Sequence, residues 1–136
     1  MFDHCQIDYP DGGQYIGQLQ GKYRDGKGIY AYASGDIYFG SWKEDCFDGQ
    51  GVYIFLSGEI YDGMLTMNEK EGIGTYFYSN GEANYSGNWH QDLKHGIGVL
   101  DTPEEYYEGS WNRGLKEGNG FYKNKVSGEI FLGDFL

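Results

Sequence analysis

The chain has 136 residues, among them 24 Gly, 14 Tyr, 8 Phe and 3 Trp but only two Pro, a makeup suited to many short strands joined by tight turns and far too aromatic for a disordered acidic tail. Its formal charge of −11 argues against nucleic acid, whose affinity rests on Lys and Arg releasing counterions, and against an anionic membrane surface. The same charge suits a basic protein partner, or simply solubility.

Taken in chain order, the predicted elements are copies of one unit. The chain opens on half a repeat, Gln6 to Gly13. The first full repeat starts at Tyr15, reading Tyr15-x-Gly17-x-Leu19 and then Gly26-x-Gly28. The second starts at Tyr38 (Gly40, Trp42, Gly49, Gly51, Tyr53) and the third at Tyr61 (Gly63, Leu65, Gly72, Gly74, Tyr76). A fourth starts at Tyr85 (Gly87, Trp89, Gly96, Gly98) and a fifth at Tyr107 (Gly109, Trp111, Gly118, Gly120). A final half repeat, 131–136, carries Phe131, Gly133 and Phe135. Residues 1–136 are thus read as a single array whose phase is kept from end to end.

Tyr-x-Gly-x-Trp and Gly-x-Gly-x-Tyr both have period two, so the marked residues of each share one face of a strand. The stretch between them, such as Lys43 to Asp48, has Lys22, Asp45, Asn68, Asp92 or Gly114 at its third position, four of which tolerate a left-handed turn. The other connection runs through Ser34-Gly35, Ser57-Gly58, Asn80-Gly81 and Ser127-Gly128. Each repeat is therefore a β-hairpin, and the hairpins follow as an antiparallel meander. With the shortest loops, Tyr38 faces Tyr53, Gly40 faces Gly51 and Trp42 faces Gly49, while in the next pairing Tyr53 faces Gly63 and Gly51 faces Leu65. Aromatic rings then lie over bare glycine backbone. The opposite face holds Phe39, Val52, Ile54 and Met64 early in the array but Ser86, Asn88, Glu108 and Ser110 later, so it has no uniform polarity.

Tyr-x-Gly-x-Trp, a six-residue link and Gly-x-Gly at a step of 22 to 24 residues resemble the membrane occupation and recognition nexus, or MORN, repeat from about Tyr15 to Phe135. The resemblance implies an all-β fold, an elongated single-layer antiparallel sheet forming a twisted groove. Proteins carrying such repeats include junctophilin-like membrane-contact proteins, radial-spoke and other ciliary proteins, parasite cytoskeletal proteins, and arrays attached to lipid kinases or a histone methyltransferase. Leu19 and Leu65 depart from the preferred Trp, which lowers groove aromaticity there. Asp101-Thr102-Pro103-Glu104-Glu105-Tyr106 lacks the turn Gly of its siblings, so an irregular, locally unpaired connection is expected before Tyr107. Terminal half repeats leave strand edges open to a partner, a second copy or a longer array.

Catalytic chemistry is largely missing from the pattern. Gly-x-Gly lacks the third Gly and the helix of a phosphate loop, and no nucleophile elbow, Walker loop or calcium loop occurs. His4, His90 and His95 show no zinc-like spacing with Cys5 or Cys46, and two Cys make no disulfide framework. The carboxylates repeat with the array instead of converging in pairs at one cleft. Asn84-Tyr85-Ser86 matches a glycosylation sequon, but its Tyr is a repeat residue inside a strand. No enzyme activity, cofactor or metal is expected. Met1-Phe2-Asp3-His4 lacks the basic and apolar regions of a signal peptide and no apolar run approaches a membrane span, so the expected location is cytoplasmic.

Two carboxylate columns do stand out. Asp25, Asp48, Glu71 and Glu117 precede Gly-x-Gly, with His95 in the fourth copy; Asp36, Glu59, Glu82 and Glu129 follow the turn Gly. Equivalent residues of successive hairpins stand roughly 10 Å apart, so two acidic edges are expected. They keep a sheet from aggregating, and they also orient a basic helix or extended segment laid along an aromatic floor. The residues expected to pack and to contact such a partner are Tyr38, Trp42, Tyr53, Tyr61, Tyr76, Trp89, Tyr107 and Trp111. Reversing Asp36, Glu59 and Glu82 to Lys is expected to slow association with folding intact. The function expected is a non-catalytic protein-binding scaffold, with the cytoskeletal or ciliary setting implied by the resemblance alone. A regulatory array of a lipid kinase or methyltransferase, or a membrane-contact module, is the alternative, with charge disfavouring lipid.

Overall fold

The computed structural model describes residues 4–79 and 81–136, with the side chain of His4 left aside. Readings that rest on Met1, Phe2, Asp3 and Asn80 lie outside the described residues. Twelve strands follow in order: β1 His4–Asp8, β2 Gln14–Gln20, β3 Tyr23–Ala31, β4 Ile37–Lys43, β5 Cys46–Ile54, β6 Ile60–Thr66, β7 Glu69–Phe77, β8 Asn84–His90, β9 Leu93–Asp101, β10 Glu105–Asn112, β11 Leu115–Asn124 and β12 Ile130–Phe135. They form one antiparallel sheet in which every strand pairs with its sequence neighbours. Such a meander follows from short loops, because an antiparallel neighbour needs only a hairpin.

Tyr38 faces Tyr53 and Gly40 faces Gly51, as the spacing predicts, but Trp42 faces Phe47 and not Gly49. The register slips between Gly40 and Trp42 because Gly49 takes a left-handed φ of 95°, which lets β5 bulge. The slip also shortens the expected six-residue link to two residues. Glu44 and Asp45, with φ of 48° and 70°, form a tight turn whose backbone matches the twist of the flanking strands. The same pair of left-handed residues recurs at Met67-Asn68, Gln91-Asp92 and Arg113-Gly114.

The second expected register is corrected too. Tyr53 faces Tyr61, Gly51 faces Gly63 and Gly49 faces Leu65. The connection is longer than the minimum: the Phe55 N–H donates to the Glu59 carbonyl at 2.9 Å and the Gly58 N–H returns to the Phe55 carbonyl at 3.0 Å. The connection before Tyr107 is not unpaired either. Asp101 pairs directly with Tyr106, and the Thr102 hydroxyl accepts the Glu104 and Glu105 N–H groups at 3.2 and 3.0 Å. A side-chain turn replaces the missing Gly there.

The core is one face of this sheet. Tyr15, Tyr38, Tyr61, Tyr85 and Tyr107, one per repeat, are fully or almost fully buried. Each donates its hydroxyl to the carbonyl three residues on, those of Gln18, Ser41, Met64, Asn88 and Ser110, at 2.7 to 2.8 Å. Each ring crosses the second Gly of its own Gly-x-Gly; a Cβ on Gly51 would stand 2.2 Å from the Tyr38 hydroxyl. Indole N–H groups then tie each repeat to the one before it. Trp42 donates to the Gly28 carbonyl at 3.1 Å, Trp89 to Gly74 at 3.0 Å and Trp111 to Gly98 at 3.1 Å. Leu65 is buried in the same place but has no proton to offer, so the junction between the second and third repeats lacks that bond.

Candidate interaction surface

The eight aromatic residues expected to floor a groove divide into two groups. Tyr38, Trp42, Tyr61, Trp89, Tyr107 and Trp111 are buried, with exposures of 0 to 6%. They pack against one another, as in the edge contacts of Tyr38 with Trp42 at 5.1 Å and Tyr107 with Trp111 at 5.1 Å. Contact with a partner is therefore not open to them. Tyr53 and Tyr76 are only half-buried.

Those two belong to a longer row that the repeat motif overlooks. Just past the ends of β3, β5 and β7, two positions after Tyr30, Tyr53 and Tyr76, stands a further aromatic residue: Tyr32, Phe55 and Tyr78, all half-buried. Period two keeps each on the same face as its predecessor. The rings then form a continuous series. Tyr9 stacks on Tyr30 at 5.4 Å, and tilted contacts follow between Tyr30 and Tyr32 at 4.3 Å and between Tyr32 and Tyr53 at 5.9 Å. Tyr53 meets Phe55 at 4.5 Å, Phe55 meets Tyr76 at 6.2 Å and Tyr76 meets Tyr78 at 5.1 Å. Gly51-x-Tyr53-x-Phe55 was the available signal in the sequence. Leu100 and Thr102 take these positions in the fourth repeat, so the row ends there.

Carboxylates border the row. Asp36 accepts the Tyr53 hydroxyl at 2.8 Å and the Leu56 N–H at 2.8 Å, and Glu59 accepts the Tyr76 hydroxyl. Burial, then the bond to Asp36, pushes the Tyr53 phenol far above its ordinary range; burial pushes Tyr32 up to about 12. These hydroxyls remain neutral donors. Reversing Asp36 to Lys would break two bonds between repeats, so the expectation that such a change leaves folding untouched does not hold. Glu82 is exposed in the equivalent position, and the Glu129 N–H is bonded to Ser127 Oγ at 3.2 Å.

The other carboxylate column is a set of clamps. Asp25 accepts the Glu44 N–H at 3.2 Å, Asp48 accepts Met67 at 3.3 Å and Glu71 accepts Gln91 at 3.2 Å. The turn residues answer in the opposite direction. Asp45 accepts the Arg24 N–H at 2.8 Å, Asn68 that of Phe47 at 2.8 Å and Asp92 that of Lys70 at 2.7 Å. Burial alone would raise Asp45, but the Arg24 N–H and guanidinium outweigh it and hold the carboxyl below its usual range. This edge is committed to joining hairpins.

A profile of the family described as MORN repeat matches the chain five times, at residues 15–37, 38–60, 61–83, 85–103 and 107–124. No curated protein matches it. The matched segments begin at the buried tyrosines of the five hairpins, so the motif and the packing unit coincide.

Proposed function

The chain belongs to the MORN-repeat family, whose repeats are protein- or membrane-interaction modules, and from that premise we propose that it is a non-catalytic protein-binding scaffold, working in the cytoplasm as a structural part of a cytoskeletal or ciliary assembly. The observation that carries the binding reading is the unbroken aromatic row from Tyr30 to Tyr78, bordered by Asp36 and Glu59. Half-buried rings lose little conformational entropy when covered, which makes them effective contact residues. Carboxylates at the border favour a basic helix or extended segment lying across the strands, and the net charge of −11 steers such a segment in. An anionic lipid surface is repelled by the same field.

Tyr32→Ser, Phe55→Ser and Tyr78→Ser together remove the outer rings and leave Tyr15, Tyr38, Tyr61, Tyr85 and Tyr107 in place. Partners retained by the immobilised wild-type chain and eluted by salt should be lost from this variant, while the fluorescence maximum of its buried Trp42, Trp89 and Trp111 is kept. Identical retention by both chains would exclude the row as the contact surface.

A further inference from the structure

The face opposite the tyrosine core changes character along the array. On the β2 to β5 half, one cross-strand row reads Ile16, Ile29, Phe39 and Val52. The next row toward the loops starts on β4 and runs on into β6 and β7, reading Ile37, Ile54, Ile60 and Phe77. Five of these eight side chains are exposed, by 37 to 50%. Over the glycine-rich centre of this half the surface dips into a cleft of about 570 Å³, whose walls are the first row together with Lys27 and Gln50 and whose floor includes Gly17, Gly28, Gly40 and Gly51. Farther along, the same two rows turn polar through Asp62, Thr75, Ser86 and Asn84, with Thr75 and Ser86 hydrogen-bonded at 2.9 Å. One sheet thus carries two different outer faces.

A water-facing antiparallel sheet normally alternates apolar inward and polar outward. Over β2 to β5 the two rows break that rule; beyond them polar Asp62, Thr75, Ser86 and Glu108 alternate with Met64, Ile73 and Ile97, exposed by 41 to 70%. At roughly 200 Å² for a fully exposed large side chain, the visible parts of the two rows present on the order of 500 Å² of apolar surface. A homodimer interface of standard size takes roughly 800 Å² from each partner and is about two-thirds apolar, which is the same amount.

Charge decides what covers it. The chain has 21 Asp and Glu against 10 Lys and Arg, yet neither row carries a carboxylate between β2 and β5, and Lys27, which lines the cleft beside them, is bonded to Ser41 Oγ at 2.7 Å. A basic partner is drawn to the acidic border and not to this patch. A charge-poor apolar surface is the fitting occupant, and the chain itself supplies one at equal concentration. We infer that two copies pack face to face through these two rows, about a two-fold axis that lies between the two sheets and runs parallel to the strands, with Phe39 of each copy seated in the other's cleft. That axis reverses one array against the other. The polar halves, with Asp101 and Glu108, then run outward in opposite directions and do not oppose each other.

Sedimentation equilibrium of the full chain tests this at about 5 to 500 μM and at low and high salt. The expected result is a monomer–dimer equilibrium that tightens as salt rises, because screening relieves repulsion between two acidic chains while the apolar contact is retained. Phe39→Lys and Ile29→Ser should each weaken the dimer about tenfold or more, whereas Glu108→Lys on the far half of the same face should leave it. Either variant suffices, and both change exposed side chains away from the tyrosine core. A chain that is monomeric throughout overturns the inference, and so does a dimer that forms equally well with Phe39→Lys, which would point to the strand edges. Loss of another protein by Phe39→Lys with the wild-type chain monomeric would assign the patch to that protein instead.

Discussion

Gly51→Ala isolates the contact on which the array is built. The backbone of Gly51 is not in a left-handed conformation, so an added methyl meets only space, and the space is taken. Its Cβ would lie 2.2 Å from the Tyr38 hydroxyl and 2.5 and 2.6 Å from two ring carbons. Relief requires the ring to retreat by about 1 Å, since ordinary carbon contacts begin near 3.5 Å. Tyr38 has nowhere to go: it is fully buried, stacked on Phe47 at 4.0 Å, abutted by Trp42 and held by its bond to the Ser41 carbonyl. The cost should reach or exceed the upper end of overpacking penalties, about 3 kcal/mol. Tyr38→Ala alone should cost a similar amount, about 3 to 5 kcal/mol, through the cavity it leaves. In that background Gly51→Ala should cost less than about 0.5 kcal/mol, since the obstacle is gone and Ala suits a strand better than Gly. Urea titration followed by tryptophan fluorescence, with Trp42 beside the contact, gives all four corners of the cycle. Equal costs of Gly51→Ala in the two backgrounds would refute the reasoning.

Two further outcomes follow from the clamps between hairpins. Because the folded-state pKa of Asp45 is depressed, its charge stabilises the fold above the ordinary carboxylate range, near pH 4, and that contribution is lost as pH falls through the lower folded value; Asp45→Asn, which copies Asn68 of the next hairpin, should be less stable than wild type at pH 7 and equal to it near pH 2 in urea titrations at both values. At the last junction Gly114 offers only its N–H, to the Lys94 carbonyl at 2.8 Å, and His95 replaces the carboxylate with a 3.3 Å contact to the Arg113 N–H. Amide hydrogen exchange should therefore be faster at Lys94 than at Arg24 or Lys70, and equal protection at the three would discount the turn carboxylate as a clamp.

The repeat phase, the strands, the meander and the covering of glycine backbone by aromatic rings were legible because period two and a nearly constant step constrain them together. Register was legible only halfway down each hairpin. Gly49 can serve a regular strand or a left-handed bulge with equal ease, and spacing alone does not separate the two. Burial of the groove aromatics was hidden for a different reason. A single-layer sheet suggests open faces, but rings lying over glycines cover each other, so Trp42 and Tyr61 are closed to solvent without any second layer. Tyr32, Phe55 and Tyr78 lie beyond the repeated motif, and a reading that stops at the motif passes over the rings that remain open.

The array also conceals part of its basic charge. Arg24, Lys70, Lys94 and Lys116 occupy one equivalent position at the start of successive return strands, with Phe47 there in the second repeat. Arg24 lies 4.8 Å from the Trp42 ring centroid, Lys70 5.2 Å from Trp89, Lys94 5.6 Å from Trp111 and Lys116 5.7 Å from Tyr107. Phe47 performs the same packing by stacking on Tyr38, which shows that the position needs a flat or slender apolar body first and a charge second. Three of these cations also hold a carboxylate: Arg24 pairs with Asp45, Lys70 with Asp92 and Lys116 with Glu105. Four of the ten basic side chains are thereby engaged within the aromatic face. The surface that an approaching chain meets is accordingly poorer in cations than the composition suggests. The basic segment proposed as partner would gain most where rings and carboxylates adjoin, along Tyr32, Tyr53 and Tyr76, and least on the apolar rows of the opposite face.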